Sequence, residues 1–172
     1  IWESKTDKGE KLSAALGSLL ENKEAAAPGL QPFKQQAHYE GVAEKLTGMF
    51  EDPMWEVLAS TCQTCGICTY VCPSCYCFDI QVKSWGDEGY RFRRYDSCMY
   101  SEYTLMAGGH NPRSHERERF RNRFLHKLQF FSERYGKPLC TGCGRCIVAC
   151  PVGINIVQII NQVKEADTSV RA

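Results

Sequence analysis

The chain has 172 residues, 43% apolar and 24% charged, with 21 basic and 20 acidic side chains. That composition excludes global disorder, and the length suits one domain with space for a small second unit. A formal charge of +1 excludes a dominant nucleic-acid footprint, and the longest uncharged stretch, Val57 to Phe78, is too broken by Gln63, Gly66 and Pro73 to be a membrane-spanning helix.

In chain order, Ile1 to about Tyr39 is polar, Ala-rich and interrupted at Pro28, Gly29 and Pro32. Leu12, Leu16, Leu19 and Leu20 predict a short helix over Lys11 to Glu21, and the rest reads as an arm or linker. No signal-peptide pattern precedes the first domain-like segment, so export is not expected. Val42, Leu46, Met49 and Phe50 predict a helix over Gly41 to Phe50. Asp52 then offers an N-cap, with Pro53 at the first position of a second helix through Leu58. From Phe78 to Tyr95 the period shortens: Ile80 and Val82 alternate with polar residues, as do Tyr90 and Phe92. Gly86-Asp87-Glu88-Gly89 between them predicts a hairpin with a four-residue loop. Ser97 to Met106 reads as a short helix ended by Gly108-Gly109. Ser114 to Tyr135 is the longest periodic segment, with Phe120, Phe124, Leu125, Leu128, Phe131 and Tyr135 in one stripe and Gly136 and Pro138 ending it. A last helix, Asn155 to Ala166, turns Ile156, Ile159, Ile160 and Val163 inward. The expected class is mainly α, with one small β element between two cysteine arrays.

Those arrays dominate the eleven cysteines. They are Cys62-Gln-Thr-Cys65-Gly-Ile-Cys68-Thr-Tyr-Val-Cys72-Pro73 and Cys140-Thr-Gly-Cys143-Gly-Arg-Cys146-Ile-Val-Ala-Cys150-Pro151. An odd total with crowded spacing suits metal thiolates better than disulfides, and implies a reducing, cytoplasmic setting. Both arrays read C-x₂-C-x₂-C-x₃-C-P, the spacing of bacterial cubane ferredoxins. Three thiolates two residues apart can wrap three corners of a cube; the three-residue gap puts the fourth about one helical turn further on. Gly66, Gly142 and Gly144 permit positive φ in the loops. By the ligation rule of two-cluster ferredoxins, one [4Fe–4S] cluster takes Cys62, Cys65, Cys68 and Cys150, and the other takes Cys140, Cys143, Cys146 and Cys72. Two structural zinc sites and thiol chemistry are the other readings, although a zinc knuckle needs only four ligands. Eight thiolates and two 2+ cubane cores carry a net −4, which takes the formal +1 to about −3.

Cys75, Cys77 and Cys98 belong to neither array. They read as buried thiols, as a third metal site completed by His110, or as a redox pair. Arg113, Arg117, Arg119, Arg121, Arg123 and Lys127 lie on or beside the long helix, against only Glu116 and Glu118. No stacking aromatics interleave with them, so nucleic acid is not an expected partner. A solvated or partner-facing helix side is the plain reading, and offsetting cluster charge is the other.

Three further segments carry a resemblance: Cys72-Pro-Ser-Cys-Tyr-Cys-Phe-Asp79, Tyr95-Asp-Ser-Cys-Met-Tyr100 and Met106-Ala-Gly-Gly-His-Asn-Pro-Arg113. With the arrays, they resemble the dicluster electron-transfer subunits of anaerobic oxidoreductases, such as the beta subunit of cytoplasmic [NiFe] sulfhydrogenases and the dicluster subunit of anaerobic sulfite reductase. The resemblance runs from about Asp52 to Val163. It implies an α-helical ferredoxin-like dicluster domain over 41–166, between an arm over 1–40 and a tail over 167–172, with the cluster ligands at the eight array cysteines. It implies relay of single electrons between a flavin subunit that handles NAD(P)H and a catalytic or iron–sulfur subunit such as a [NiFe] hydrogenase, in a hetero-oligomer. The family usually has a longer N-terminal region, and a Trp where Tyr95 stands here. The absence of a nicotinamide fingerprint, a P-loop and an acid–base constellation fits a subunit without substrate chemistry of its own. The other expectations are a subunit of sulfite reductase or of a heterodisulfide-reductase-linked flavin oxidoreductase, or an enzyme that uses the Cys75, Cys77 and Cys98 thiols.

Overall fold

The structure, a computed structural model, describes residues 2–21, 29 and 34–166. The expected tail over 167–172 and the expected interruptions at Pro28 and Pro32 lie outside the described residues. The chain divides into two units, residues 1–34 and 35–172.

In the first unit, Thr6 caps helix α1 (Asp7–Ala15) by accepting the Gly9 N–H on its hydroxyl. Asp7 and Glu10 add acidic charge in the first turn. That cap starts the helix at Asp7 rather than the expected Lys11, and a 3₁₀ turn over Gly17–Leu19 follows it. No residue of α1 is buried.

The second unit begins its regular structure with α2 (Val42–Thr47) and α3 (Met54–Ala59). The Asp52 carboxylate accepts the Met54 N–H at 2.8 Å, so the expected capping residue does its job. α4 (Ile67–Tyr70) is a single turn inside the first array. Strands β1 (Phe78–Trp85) and β2 (Glu88–Tyr95) then pair antiparallel, with Phe78 opposite Tyr95 and Trp85 opposite Glu88. The connection is two residues, Gly86 and Asp87, rather than four. Gly86 takes φ 55° at the first central position, which a tight type II′ turn asks for. Tyr95 Oη donates to the Cys75 carbonyl at 2.6 Å and Asp96 N–H to the Cys77 carbonyl at 3.1 Å, tying the hairpin base to the loop after the first array.

α5 (Glu116–Leu125), a π-helical turn (His126–Phe130) and α6 (Phe131–Tyr135) run on without a break, and Gly136 ends the run at φ 69°. α7 (Arg145–Val148) is the single turn of the second array, and α8 (Ile156–Glu165) is capped by the Asn155 side chain, which accepts the Val157 N–H at 2.9 Å. The core forms where α2, α3 and α8 meet the α5–α6 run: Val42, Leu46, Met49, Trp55, Phe120, Phe124, Leu125, Leu128, Ile159, Ile160 and Val163 are all buried. Trp55 sits at its centre, stacked on Phe124 at 6.1 Å between ring centroids, with its indole N–H donating to the Met49 carbonyl at 2.7 Å.

The expected mainly α, helical-ferredoxin class does not hold. Helices account for 43% of the described residues, and many are single turns. Two eight-residue strands and long irregular segments make up much of the rest. Between Ser97 and Met106 only a 3₁₀ turn forms, Ser101–Thr104. Ser97 Oγ accepts from Thr69 Oγ1 and from Met99 N–H, which engages the side chain in a local turn instead of a helix start. Among the described residues no helix is long and apolar enough to cross a membrane.

Trp55→Ala is expected to destabilise the cluster-loaded protein by about 3–5 kcal/mol, because it leaves a cavity in the core and removes the indole hydrogen bond to the Met49 carbonyl. Trp85→Ala, on a half-exposed hairpin ring, is expected to cost less than about 1 kcal/mol. Anaerobic denaturant titration of the two variants checks the contrast.

Candidate metal centre

Both array loops use one backbone pattern. The residues before and after the second cysteine are left-handed in each: Thr64 (φ 48°) and Gly66 (φ 75°) in the first, Gly142 (φ 70°) and Gly144 (φ 73°) in the second. Gly66 and Gly144 lead into α4 and α7, which carry the third cysteines, Cys68 and Cys146. The doubled left-handed bend turns amides towards sulfur. The Thr64 N–H bonds to the Cys62 sulfur, and beyond the second array the Ile154 N–H donates to Cys150 Sγ at 3.2 Å. Gly66 is also hemmed in: a Cβ there would stand 3.0 Å from Ser97 Oγ and from the Tyr100 ring.

The eight array cysteines gather around two recesses. The first is lined by Cys62, Cys65, Cys68, Cys146 and Cys150. The second is lined by Cys140, Cys143, Cys146 and Cys72. α4 and α7 pack against one another, which brings the recesses side by side. In each array the second cysteine, Cys65 or Cys143, is exposed, while the other array thiols are half-buried. Ile67, Met99, Phe120 and Val152 shield the first recess, and Ile147, Ile156 and Val157 the second.

Electrostatics divide the thiols. Burial pushes the Cys62, Cys68 and Cys146 thiols above the ordinary range, with the Arg123 guanidinium opposing. Cys72 moves the other way, because the Cys75 thiol donates to it, with Ser74 and Lys127 adding to the effect. Lys127 Nζ stands 3.2 Å from Cys72 Sγ and 3.2 Å from Ser74 Oγ. Tyr39 bonds to Cys140, and burial together with that bond holds its phenol protonated. These donors suit a thiolate-held anionic group, which needs N–H and cationic partners once taken out of water. Among the described residues no three His, Cys, Asp or Glu side chains stand close enough to chelate a single ion. The side chains that line the recesses include four or five thiols each and no His, Asp or Glu among the described residues, a donor set that suits a four-iron core.

The leftover cysteines are divided between two contacts. Cys75 bonds to Cys72, while buried Cys98 donates to Cys77, which Tyr103 also contacts. The Cys98 bond holds Cys77 at about 6. His110 is exposed, and its carbonyl accepts the Met106 N–H in a turn. These four do not form a chelating group.

The basic stripe differs most from expectation. Arg119, Arg121, Arg123 and Lys127 are buried instead of lining a solvated face. Arg119 donates to the Met99, Arg113 and Ser114 carbonyls; Arg121 donates to the Phe50 carbonyl, pairs with Glu51 at 3.3 Å and stacks 3.7 Å over the Phe50 ring. Arg123 and Lys127 face thiols. The sequence named both only within the wider basic stripe, for which offsetting cluster charge was one of two readings; the sharper signal is that Arg119, Arg123 and Lys127 recur every four residues beside the Phe120, Phe124 and Leu128 stripe.

Residues 61–154 match the family described as the 4Fe-4S dicluster domain. Sulfhydrogenase 2 subunit beta of Pyrococcus furiosus is 36% identical over 167 residues, which cover 96% of this chain and 48% of the relative. The chain thus spans about half the length of the curated relative it matches. No solved structure matches it.

Gly66→Ala is expected to cost at least about 1–2 kcal/mol from the left-handed backbone alone, with crowding against Ser97 and Tyr100 added, and to lower the iron retained per chain. Thr64→Gly, which removes a β-branched side chain from the same kind of backbone, is expected to keep its iron and gain up to about 1 kcal/mol. Iron assay and denaturant midpoints of the two variants check the signs.

Proposed function

The chain belongs to the 4Fe-4S dicluster domain family, and from that premise we propose that it is the iron–sulfur electron-transfer subunit of an anaerobic, hetero-oligomeric oxidoreductase. It relays single electrons between a flavin subunit that handles NAD(P)H and a catalytic subunit such as a [NiFe] hydrogenase, in a reducing, cytoplasmic setting. The observation that supports this most is the arrangement of the array thiols around two adjacent recesses, each lined by three thiols of one array and by the last cysteine of the other, with Cys146 lining both. On this reading Cys62, Cys65, Cys68 and Cys150 hold one [4Fe–4S] cluster, and Cys140, Cys143, Cys146 and Cys72 hold the second.

Each cluster, when bound, supplies a one-electron couple. The chain's own residues do the rest. Ile67, Met99, Phe120 and Val152 keep water from the first site, and the Ile154 and Thr64 amides and Lys127 donate to ligand sulfurs, which eases the addition of negative charge. Exposed Cys65 and Cys143 bring one edge of each site to the surface, and these are the two places where a donor and an acceptor subunit dock. The relative's name, a sulfhydrogenase subunit, supports assembly into such a complex.

Anaerobically purified protein is expected to be brown, to bleach with dithionite and to contain ~8 iron atoms per chain. It should pass electrons from dithionite to a dye, yet reduce no dye with NADH or NADPH until a flavoprotein is added. A colourless zinc protein, or NADH-dependent dye reduction by the chain alone, overturns the proposal. Crossed ligation has its own check: Cys72→Ser is expected to perturb the cluster signal that Cys140→Ser perturbs, and to spare the one that Cys62→Ser perturbs, in electron paramagnetic resonance spectra of the reduced protein.

A further inference from the structure

A guanidinium or ammonium group inside a protein is costly unless oxygens or negative charge surround it. Arg119 and Arg121 meet that demand with backbone carbonyls and the Glu51 carboxylate. Arg123, 4% exposed, does not: its Nε is buried without a hydrogen-bond partner among the described residues, and it lines the first recess beside Cys62, Cys65, Cys68 and Cys150. Lys127, 2% exposed, lines the second recess and not the first, and its ammonium donates to Cys72 Sγ and Ser74 Oγ. The two cations stand four residues apart on one helical run, one at each recess. Among the described residues no carboxylate lines either recess.

We infer that Arg123 and Lys127 are fixed counter-charges, one for each cluster site, that set the two reduction potentials separately. The inference rests on the cluster reading above. A positive charge that cannot leave, in a place where water cannot screen it, favours the reduced, more negative form of whatever the adjacent thiolates hold. Lys127 acts through a direct hydrogen bond to one ligand sulfur. Arg123 acts through space most strongly on Cys68 of the first site and next on Cys146, which lines both recesses. Both are positioning residues that tune electron transfer by charge.

The test uses the full chain, purified anaerobically, with iron and sulfide counted for every variant before a redox titration followed by electron paramagnetic resonance. Lys127→Met is expected to move one of the two midpoint potentials in the negative direction by at least a tenfold change in its one-electron equilibrium, ~59 mV. Arg123→Met is expected to move mainly the other. Lys127→Arg and Arg123→Lys, which keep the charge, are expected to stay within that margin of the parent. Fully loaded methionine variants with unmoved potentials overturn the inference, as do methionine variants that both move the same potential by equal amounts. If a methionine variant loses iron, its charge-keeping partner decides: retention of both clusters with parental potentials supports the inference, and equal loss assigns the position to packing and overturns it. A parent chain that binds no iron and sulfide overturns the cluster reading instead, an outcome separate from all of these.

Discussion

A cation taken out of water has to recover its lost hydration from oxygens or from negative charge, and one helical run in this protein carries four. The surrounding structure is arranged around that requirement. The carbonyls of Phe50, Met99, Arg113 and Ser114 converge on Arg119 and Arg121, so segments far apart in sequence are fixed to the α5 surface by ionic hydrogen bonds. The next two positive charges, Arg123 and Lys127, meet sulfur. A single amphipathic run thus supplies an aromatic stripe to the core, two arginine ties to the irregular loops, and two cations to the thiol recesses.

Much of the site was legible in the sequence, because the spacing of eight cysteines is a geometric specification. The array loops show why: Thr64 and Gly66 repeat the backbone of Gly142 and Gly144, so one spacing produced one loop twice. The caps at Asp52 and Asn155, the Gly136 stop and the inward face of α8 follow from local chemistry visible in the chain. What sequence pattern could not resolve was what competes with a helix. Ser97 to Met106 has a plausible helical composition, yet the Ser97 hydroxyl is engaged by Thr69, distant in sequence. The helical content was overestimated for the same reason, since only the 3₁₀ turn Ser101–Thr104 forms where a helix through Met106 was expected. The basic stripe stayed open between a solvated face and a counter-charge to the clusters, because a four-residue period fits a solvated face and a buried one equally well. Only the position of the thiols, a tertiary fact, separates them.

The hairpin presents the opposite case, a regular element with almost no burial. A two-stranded ribbon has little intrinsic stability in water, and here it is secured at its base by Tyr95 and Asp96 to the carbonyls of Cys75 and Cys77. Trp85 with Tyr90 at 5.6 Å and Arg93 over Phe78 at 4.5 Å stay within the ribbon, while Tyr95 at its base also meets the Tyr70 ring of α4 at 5.5 Å. The order of the hairpin therefore depends on the loop that follows the first array.

The π-helical turn has a consequence for how the chain can change length. At Phe131 the N–H reaches back five residues to the His126 carbonyl, and the Lys127 carbonyl accepts the Leu139 N–H at 2.8 Å, next to Cys140. Lys127 therefore holds the first array through its side chain and the second through its backbone. Each residue added to or removed from an α-helix rotates everything beyond it by about 100°. Deleting one residue within 126–130 would restore regular α winding and leave Phe131 and Tyr135 on their present face, because the π turn already absorbs one extra residue. An insertion before Lys127 would instead turn its ammonium away from Cys72. The π turn is thus the one stretch of this run that can lose a residue without losing phase, whereas the stretch before Lys127 cannot change length.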